Sequence, residues 1–312
     1  MSTKASRTIR VATRVSRLAL WQAEHVAELL RAAAPDALVE LVHVTTSGDR
    51  DQTGALRSFG GIGVFTREVQ RAVLDGRADL AVHSLKDLPT ESAAGLALAA
   101  VPERETTSDA LVLPAAKTGA KDLARLPMGA RVGTGSLRRR AQLLYTRSDL
   151  ALSEVRGNVE TRIAKLDAGD YDALVLALAG LKRLGLAGRM SQELAPPAMY
   201  PAVGQGALGV ECRGADAELR ALLTRIDDSS AHQRVIAERS LLAQLRAGCH
   251  APVGAATEID SGELTLEAVV LSADGRQRLI ASGQSAPNDA EMLGREVAEK
   301  LLLQGADVLL EP

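Results

Sequence analysis

The sequence predicts an α/β protein closed by a small C-terminal α+β unit, and three observations carry that prediction. Over the first two hundred residues, short β-branched or apolar runs alternate with helical patterns, which is how βα units feeding a mostly parallel sheet read. Beyond about residue 230 the pattern changes to alternating strands joined through Asp274-Gly275, followed by a closing helix. The length of 312 residues leaves room for two or three domains.

Arg10–Thr13 reads as a strand. Ser16 then caps a helix running through Ala33, with Leu18, Trp21, Val26, Leu29 and Leu30 on its apolar face and Pro35 beyond its end. Val39–Val44 is the next strand. The polar, glycine-rich stretch Thr45–Gly63 reads as a long exposed loop before a helix containing Val69, Val73 and Leu74, which Gly76 closes. A short strand at Asp79–His83 runs directly into Ser84-Leu85-Lys86-Asp87-Leu88-Pro89. The charged, threonine-rich segment Glu103–Asp109 separates this region from a second alternation. That alternation holds strands Leu111–Leu113 and Arg131–Gly133, helices Leu137–Arg147 and Val159–Asp167, and strand Ala173–Leu178. After the proline-bearing segment Ala195–Val203, the run Ala207–Val210 is a strand whose sheet periodicity leaves open. A helix over about Ala231–Leu245 leads to strands Glu263–Leu271 and Arg278–Ser282 and a helix around Glu291–Leu303.

With 46% hydrophobic and 24% charged residues, the chain has the make-up of a water-soluble globular protein. No stretch approaches the roughly 18 uninterrupted apolar residues of a spanning helix, and Met1–Arg10 has no apolar signal core, so a cytoplasmic location is expected. A net charge of −2 argues against a domain-wide basic surface for nucleic acid. Two cysteines and five scattered histidines leave no zinc framework and no disulfide scaffold, so no metal is expected.

Arginines recur beside Gly, Ser or Thr where strands end or helices begin: Ala12-Thr13-Arg14-Val15-Ser16, Val132-Gly133-Thr134-Gly135-Ser136-Leu137-Arg138-Arg139, and Arg156-Gly157-Asn158-Val159-Glu160-Thr161-Arg162. Ligands of open α/β sheets collect at the carboxyl ends of strands, and helix amino termini offer free N–H groups to anions. Arginine forks added there suit carboxylates or phosphates. One such cluster is equally well a solvated helix face; three with the same surroundings point to a multi-contact anion site. Asp87 follows a strand whose edge also carries Arg14 and Ser84, a position for a carboxylate that offsets a developing cation or moves a proton. Cys212 ends an apolar run and reads as a small buried hydrophobe. Cys249, in the Gly- and Pro-bounded loop Ala247-Gly248-Cys249-His250-Ala251-Pro252, is the accessible thiol. From residues alone the reading ends at a cytosolic protein of two or three domains that binds a polyanionic small molecule.

Taken together, the segments resemble the porphobilinogen deaminase (hydroxymethylbilane synthase) family. The match runs through ATRVSRLALWQ (Ala12–Gln22), GGIGVFTREV (Gly60–Val69), RADLAVHSLKDLPT (Arg77–Thr90), VGTGSLRRRAQL (Val132–Leu143), VRGNVETRIAKLD (Val155–Asp167), LAGLKRLGL (Leu178–Leu186), PAVGQGALGVECR (Pro201–Arg213) and AGCHAPVG (Ala247–Gly254). The resemblance implies two periplasmic-binding-protein-like α/β domains, the first made of residues 1–102 and 204–226 and the second of 106–200. A third, α+β domain at 229–312 would carry the cofactor thiol. It implies an enzyme of tetrapyrrole biosynthesis that joins four porphobilinogen molecules head to tail into hydroxymethylbilane. Ammonia leaves at each addition, and the chain grows on a dipyrromethane linked by a thioether to Cys249.

On the same resemblance Asp87 is the catalytic carboxylate. Arg14, Ser16, Gln22, Phe65, Ser84, Lys86, Thr134, Ser136, Arg138, Arg139, Arg156, Arg162, Arg183 and Gln205 line the cofactor and substrate sites. Porphobilinogen is the expected small-molecule partner, with neither nucleic acid nor membrane, and a monomer is expected. The sequence departs from the family pattern at Ser58 and Ile62, where relatives carry loop lysines, at Gly135, where serine is frequent, and at Arg17. A non-enzymatic two-lobed binding protein for a polyanion would explain the arginines but not Cys249 or a third domain. An acyl or thiol-ester transferase using Cys249 is separated by whether that thiol reacts freely with an alkylating agent.

Overall fold

The computed structural model describes residues 7–46, 66–115, 122–248 and 251–311. In chain order the helices and strands begin with β1 (Thr8–Arg14), α1 (Arg17–Ala33), β2 (Leu38–Val44), α2 (Arg67–Leu74), β3 (Leu80–Ser84) and β4 (Leu96–Ala100). They continue with β5 (Asp109–Val112), β6 (Arg131–Gly133), α3 (Leu137–Thr146), β7 (Ala151–Ser153), α4 (Val159–Asp167), β8 (Ala173–Ala177), α5 (Leu178–Arg183) and β9 (Met190–Leu194). The last part holds β10 (Leu208–Arg213), α6 (Ala217–Leu223), α7 (Ser229–Gln244), β11 (Val253–Asp260), β12 (Glu263–Leu271), β13 (Arg278–Ser285), α8 (Ala290–Leu303) and α9 (Ala306–Leu310). These segregate into two compact units. Unit 1 comprises the residues up to Arg104 together with Ala207–His232; unit 2 comprises Glu105–Gly206 and Gln233 onward.

Unit 1 is built on a five-stranded sheet of order β2-β1-β3-β10-β4. β1 runs parallel to β2 and β3, while β10 is antiparallel to both its neighbours. The run Ala207–Val210 therefore feeds the first sheet, with Leu208 opposite Ser84 and Val210 opposite Val82. Helix α1 covers this sheet because Ala23, Val26 and Leu30 recur at helical spacing and are buried against Ile9, Val11 and Leu80. Trp21, expected on that face, lies five residues from Val26, about 140° round a helix of 3.6 residues per turn. It is 39% exposed and stacks on His25 with ring centroids 5.1 Å apart.

Unit 2 contains a second five-stranded sheet, β7-β6-β8-β5-β9, in which β5 is the reversed strand. The two sheets repeat one plan: four strands point one way and the fourth in the order points back. In both, the reversed strand is the first one formed after the chain has crossed from the other unit. The remainder of unit 2 is an antiparallel meander, β11-β12-β13. Its core packs Leu264, Leu266 and Val270 against Leu293, Val297 and Leu301 of α8 and Leu241 of α7. The fold class is the expected one, mixed α/β with a small sheet-plus-helix unit at the C-terminus. β4, β7, β9 and β11 lie where the residue pattern gave no strand. β4 is alanine-rich, β7 has three residues, β9 is polar, and β11 emerges directly from a Gly- and Pro-bounded loop. No helix among the described residues is long and apolar enough to cross a membrane.

Candidate functional site

In unit 1, β1 and β3 are parallel neighbours, Ala12 opposite Ala81, so Arg14 and Ser84 finish at one carboxyl edge of the sheet. The Ser16 hydroxyl accepts the Ala19 N–H and starts α1, whose first turn has no acidic residue and instead opens with Arg17. The Gln22 side chain is buried on that helix, and its amide Nε2 donates to the Ser84 hydroxyl at 2.7 Å. This bond ties the end of β3 to α1. The chain then makes one tight turn, Leu85–Asp87. Buried Leu85 donates its N–H to the Ala207 carbonyl, and Leu88 donates its own to the Leu85 carbonyl. Lys86 is half-buried and Asp87 exposed, so a carboxylate is presented to solvent on a turn clamped at both sides. On the opposite face of β3, His83 Nε2 lies 3.1 Å from Glu211 Oε2, and Gln70 Nε2 donates to the same oxygen at 2.8 Å, all within the core.

In unit 2, Ser136 caps α3 by accepting the Arg139 N–H and donates its own N–H to the Thr134 hydroxyl. Helix amino termini favour acidic side chains, yet this first turn carries Arg138, Arg139 and Arg140 and no acid. Asp109, at the start of β5, has no exposed surface. Its Oδ1 accepts from Arg139 Nε at 3.1 Å, Arg139 Nη2 at 2.8 Å and Gln205 Nε2 at 2.9 Å, while its Oδ2 lies 2.8 Å from Arg138 Nη2. Burial alone would raise its pKa, but the two guanidiniums outweigh that and hold the carboxyl well below the usual carboxylate range. Arg138 and Arg139 also donate to the Tyr200 and Val175 carbonyls. The two arginines are thus engaged inside the fold rather than held open for a ligand, which the sequence reading did not anticipate.

At the start of α4, Asn158 caps the helix through the Thr161 N–H, and Arg162 Nε donates to the Gly157 carbonyl at 2.8 Å. Arg156 meets Glu154 at 2.6 Å. Both of these arginines are half-buried. At the end of α5, Arg183 Nη2 donates to the Gly206 carbonyl at 2.7 Å, and burial lowers its pKa to about 10 against the opposing pull of Glu105.

The structure therefore gathers Arg14, Ser16, Gln22, Ser84, Lys86 and Asp87 at one edge of unit 1, and Thr134, Ser136, Arg138, Arg139 and Gln205 around α3 in unit 2. Phe65 and Cys249 lie outside the described residues, as do Ser58 and Ile62. Asp109 was not singled out from the sequence. The signal for it was indirect: adjacent arginines in a helix's first turn need an anion, but spacing gives that anion no address. The donor set fits a polycarboxylate. Asp109 offsets one of the three positive charges in the first turn of α3, and the helix dipole adds to what remains.

Residues 9–221 match the family model described as porphobilinogen deaminase, dipyromethane cofactor binding domain, and residues 232–303 match that of the porphobilinogen deaminase C-terminal domain. Among solved structures, the chain is similar at 16% identity to the periplasmic sulfonate-binding protein SsuA of a putative ABC transporter from Methylobacillus flagellatus. The TM-score is 0.40, with 78% of this chain and 69% of that chain covered. It is also similar to the VFT2 domain of Bordetella pertussis BvgS, at 16% identity and a TM-score of 0.43, covering 73% of this chain and 91% of that one.

Proposed function

The chain belongs to the porphobilinogen deaminase family, and on that premise we propose that it condenses four porphobilinogen molecules head to tail into hydroxymethylbilane, releasing one ammonia at each addition. Membership makes it a transferase of tetrapyrrole biosynthesis with a dipyrromethane cofactor. The reading includes Cys249 as the point of thioether attachment, a three-domain division and a monomer acting in the cytoplasm. When bound, the dipyrromethane supplies the nucleophilic pyrrole carbon to which the first substrate is joined.

The single observation that carries the reading is the charged chemistry that each unit, taken by itself, places at its helix and strand ends. Unit 1 offers an exposed Asp87 on a clamped turn that follows β3, at the sheet edge where β1 ends in Arg14. Unit 2 offers cationic helix starts without acids of their own at α3. Each pyrrole carries an acetate and a propionate, so Arg14, Arg156, Arg162 and Arg183 are assigned to those carboxylates. Thr134, Ser136 and the first N–H groups of α3 act with them, while Arg138 and Arg139, held by Asp109, supply positive potential from beneath. Asp87 accepts the pyrrole N–H of porphobilinogen and offsets the positive charge that develops on it as ammonia leaves. Gln22 keeps Ser84, and through it this turn, in place.

Intact mass of the purified protein tests the assignment. A mass above that of the chain by one dipyrromethane, located on Cys249 by peptide mapping, is the expected result. An unmodified Cys249 in active enzyme would overturn it.

A further inference from the structure

Tyr200 is among the largest fully buried side chains of the protein, and its two ends are gripped from different elements. Its backbone is held by α3. The Gln142 amide donates Nε2 to the Tyr200 carbonyl at 3.0 Å and accepts the Tyr200 N–H at Oε1 at 2.7 Å, while Arg138 Nη1 donates to the same carbonyl. Its side chain is held by the C-terminal meander. The hydroxyl donates to Glu267 Oε1 on β12, and the Arg278 guanidinium of β13 lies over the Tyr200 ring at 5.2 Å and over the Tyr145 ring of α3 at 5.3 Å. β11 closes the third side. Ala255 donates its N–H to the Pro201 carbonyl, and a Cβ at Gly254 would stand 2.6 Å from Tyr200 Cβ. Ala141 of α3, Tyr200, and Val269 and Leu271 of β12 form one small apolar core, against which the partly buried Ala256 of β11 packs. At the hairpin tip, Gly275 approaches α3 so closely that a Cβ would lie 2.6 Å from the Ala141 carbonyl oxygen.

We propose that Tyr200 is a positioning residue that keeps β11, which begins four residues after Cys249, in register with the arginine-bearing first turn of α3. The proposal rests on the reading that Cys249 carries the cofactor. Without the tyrosine, the meander and α3 lose their common anchor, and the segment leading from the thiol can slide relative to Arg138. The ring supplies the fixed spacing and the hydroxyl its orientation.

Two measurements test this, both on the full chain. In the first, apoprotein prepared unloaded is incubated with porphobilinogen, and the growth of the adduct is followed by intact mass. Tyr200→Leu is expected to slow loading about tenfold or more, Tyr200→Phe to restore most of it, and alkylation of Cys249 by iodoacetamide to proceed equally in all three proteins. In loaded enzyme, kcat should fall with KM changed less than twofold. Loading by folded Tyr200→Leu at the parent rate would overturn the proposal. If that variant does not fold, Gln142→Met and Arg278→Met, which flank Tyr200 on its two sides, form a double-mutant cycle on loading rate. Their effects should be non-additive by threefold or more, whereas strict additivity overturns the proposal. A parent protein with no adduct on Cys249 would instead remove the functional reading beneath it, so the two failures are told apart.

Discussion

Asp109 Oδ1 receives both Nε and Nη2 of Arg139, at 3.1 and 2.8 Å, in a place where the carboxylate has no exposed surface. Removing one partner from such a site strands the others, because two guanidiniums then remain buried with their anion gone. Asp109→Ala is therefore expected to cost about 3–5 kcal/mol of folding stability, measured by urea unfolding. A loss below 1 kcal/mol would mean that water or another group takes over the arginines.

The same carboxyl sets a pH dependence. Its pKa in the folded protein lies below the value of about 3.9 for an unfolded aspartate, so the folded state binds this proton less tightly. Its contribution is complete above about pH 4 and is lost as pH falls through the lower folded value. Asp79, held down by Arg10 and Arg213 against the opposing effect of its burial, has the same sign. The urea midpoint should fall steeply below about pH 4, and Asp109→Asn should flatten part of that slope. An unchanged slope in the variant would assign the acid sensitivity elsewhere.

Asp87 is exposed on its turn, so its replacement should leave the fold intact. Asp87→Ala is expected to lose on the order of 10³-fold in turnover while melting within a few degrees of the parent, and Asp87→Glu to lose less. Near-normal turnover by the alanine variant would remove Asp87 from the mechanism.

Arg14 and Arg138 should fail differently. Arg14→Ala is expected to carry the adduct yet fail to extend it with porphobilinogen, while Arg138→Ala should lack the adduct. Because Arg138 is buried against Asp109, that second result must be read beside the Asp109→Ala protein. If the two variants have equal adduct and equal ladders of intermediates by intact mass, the division of roles is wrong, and added salt should then mimic both.

Cys212 is fully buried in the core of unit 1, and burial pushes its thiol pKa up. Cys212→Ala should cost about 1–3 kcal/mol and leave the adduct in place. Disappearance of the adduct would transfer the attachment role to Cys212.

Much of this arrangement was legible in the residues. Ser16 caps its helix as its position predicted, and the helices expected from Leu137 and Val159 begin at those residues, capped by Ser136 and Asn158, since a helix start is a local event within four residues. The edge bearing Arg14 and Ser84 was legible because each ends a strand and strands of a parallel α/β sheet finish at one edge, which needs no knowledge of which strands are neighbours. Partners distant in sequence were not legible. The Asp109 to Arg139 pair spans 30 residues and the Tyr200 to Glu267 contact 67, and no periodicity encodes either. β11 was hidden for another reason: the Gly and Pro residues around Cys249 mark a loop, and nothing in them tells where the loop stops.

The reversed strands bear on how the protein is made. In the first sheet β3 and β4 never pair with each other, because β10 stands between them, and β10 ends at Arg213. A chain emerging from the ribosome at about 5–20 residues per second exposes β4 roughly 5–20 s before that strand exists. During this interval two rows of backbone N–H and C=O groups have no partner, and their edges are open to other chains. The second sheet has a shorter gap: its reversed strand β5 ends at Val112 and waits only until β8 begins at Ala173 for its first partner, and its last strand ends at Leu194. The sheet encoded later is therefore complete earlier, and a chain released anywhere between the two points carries a finished second sheet and a first one still split in two.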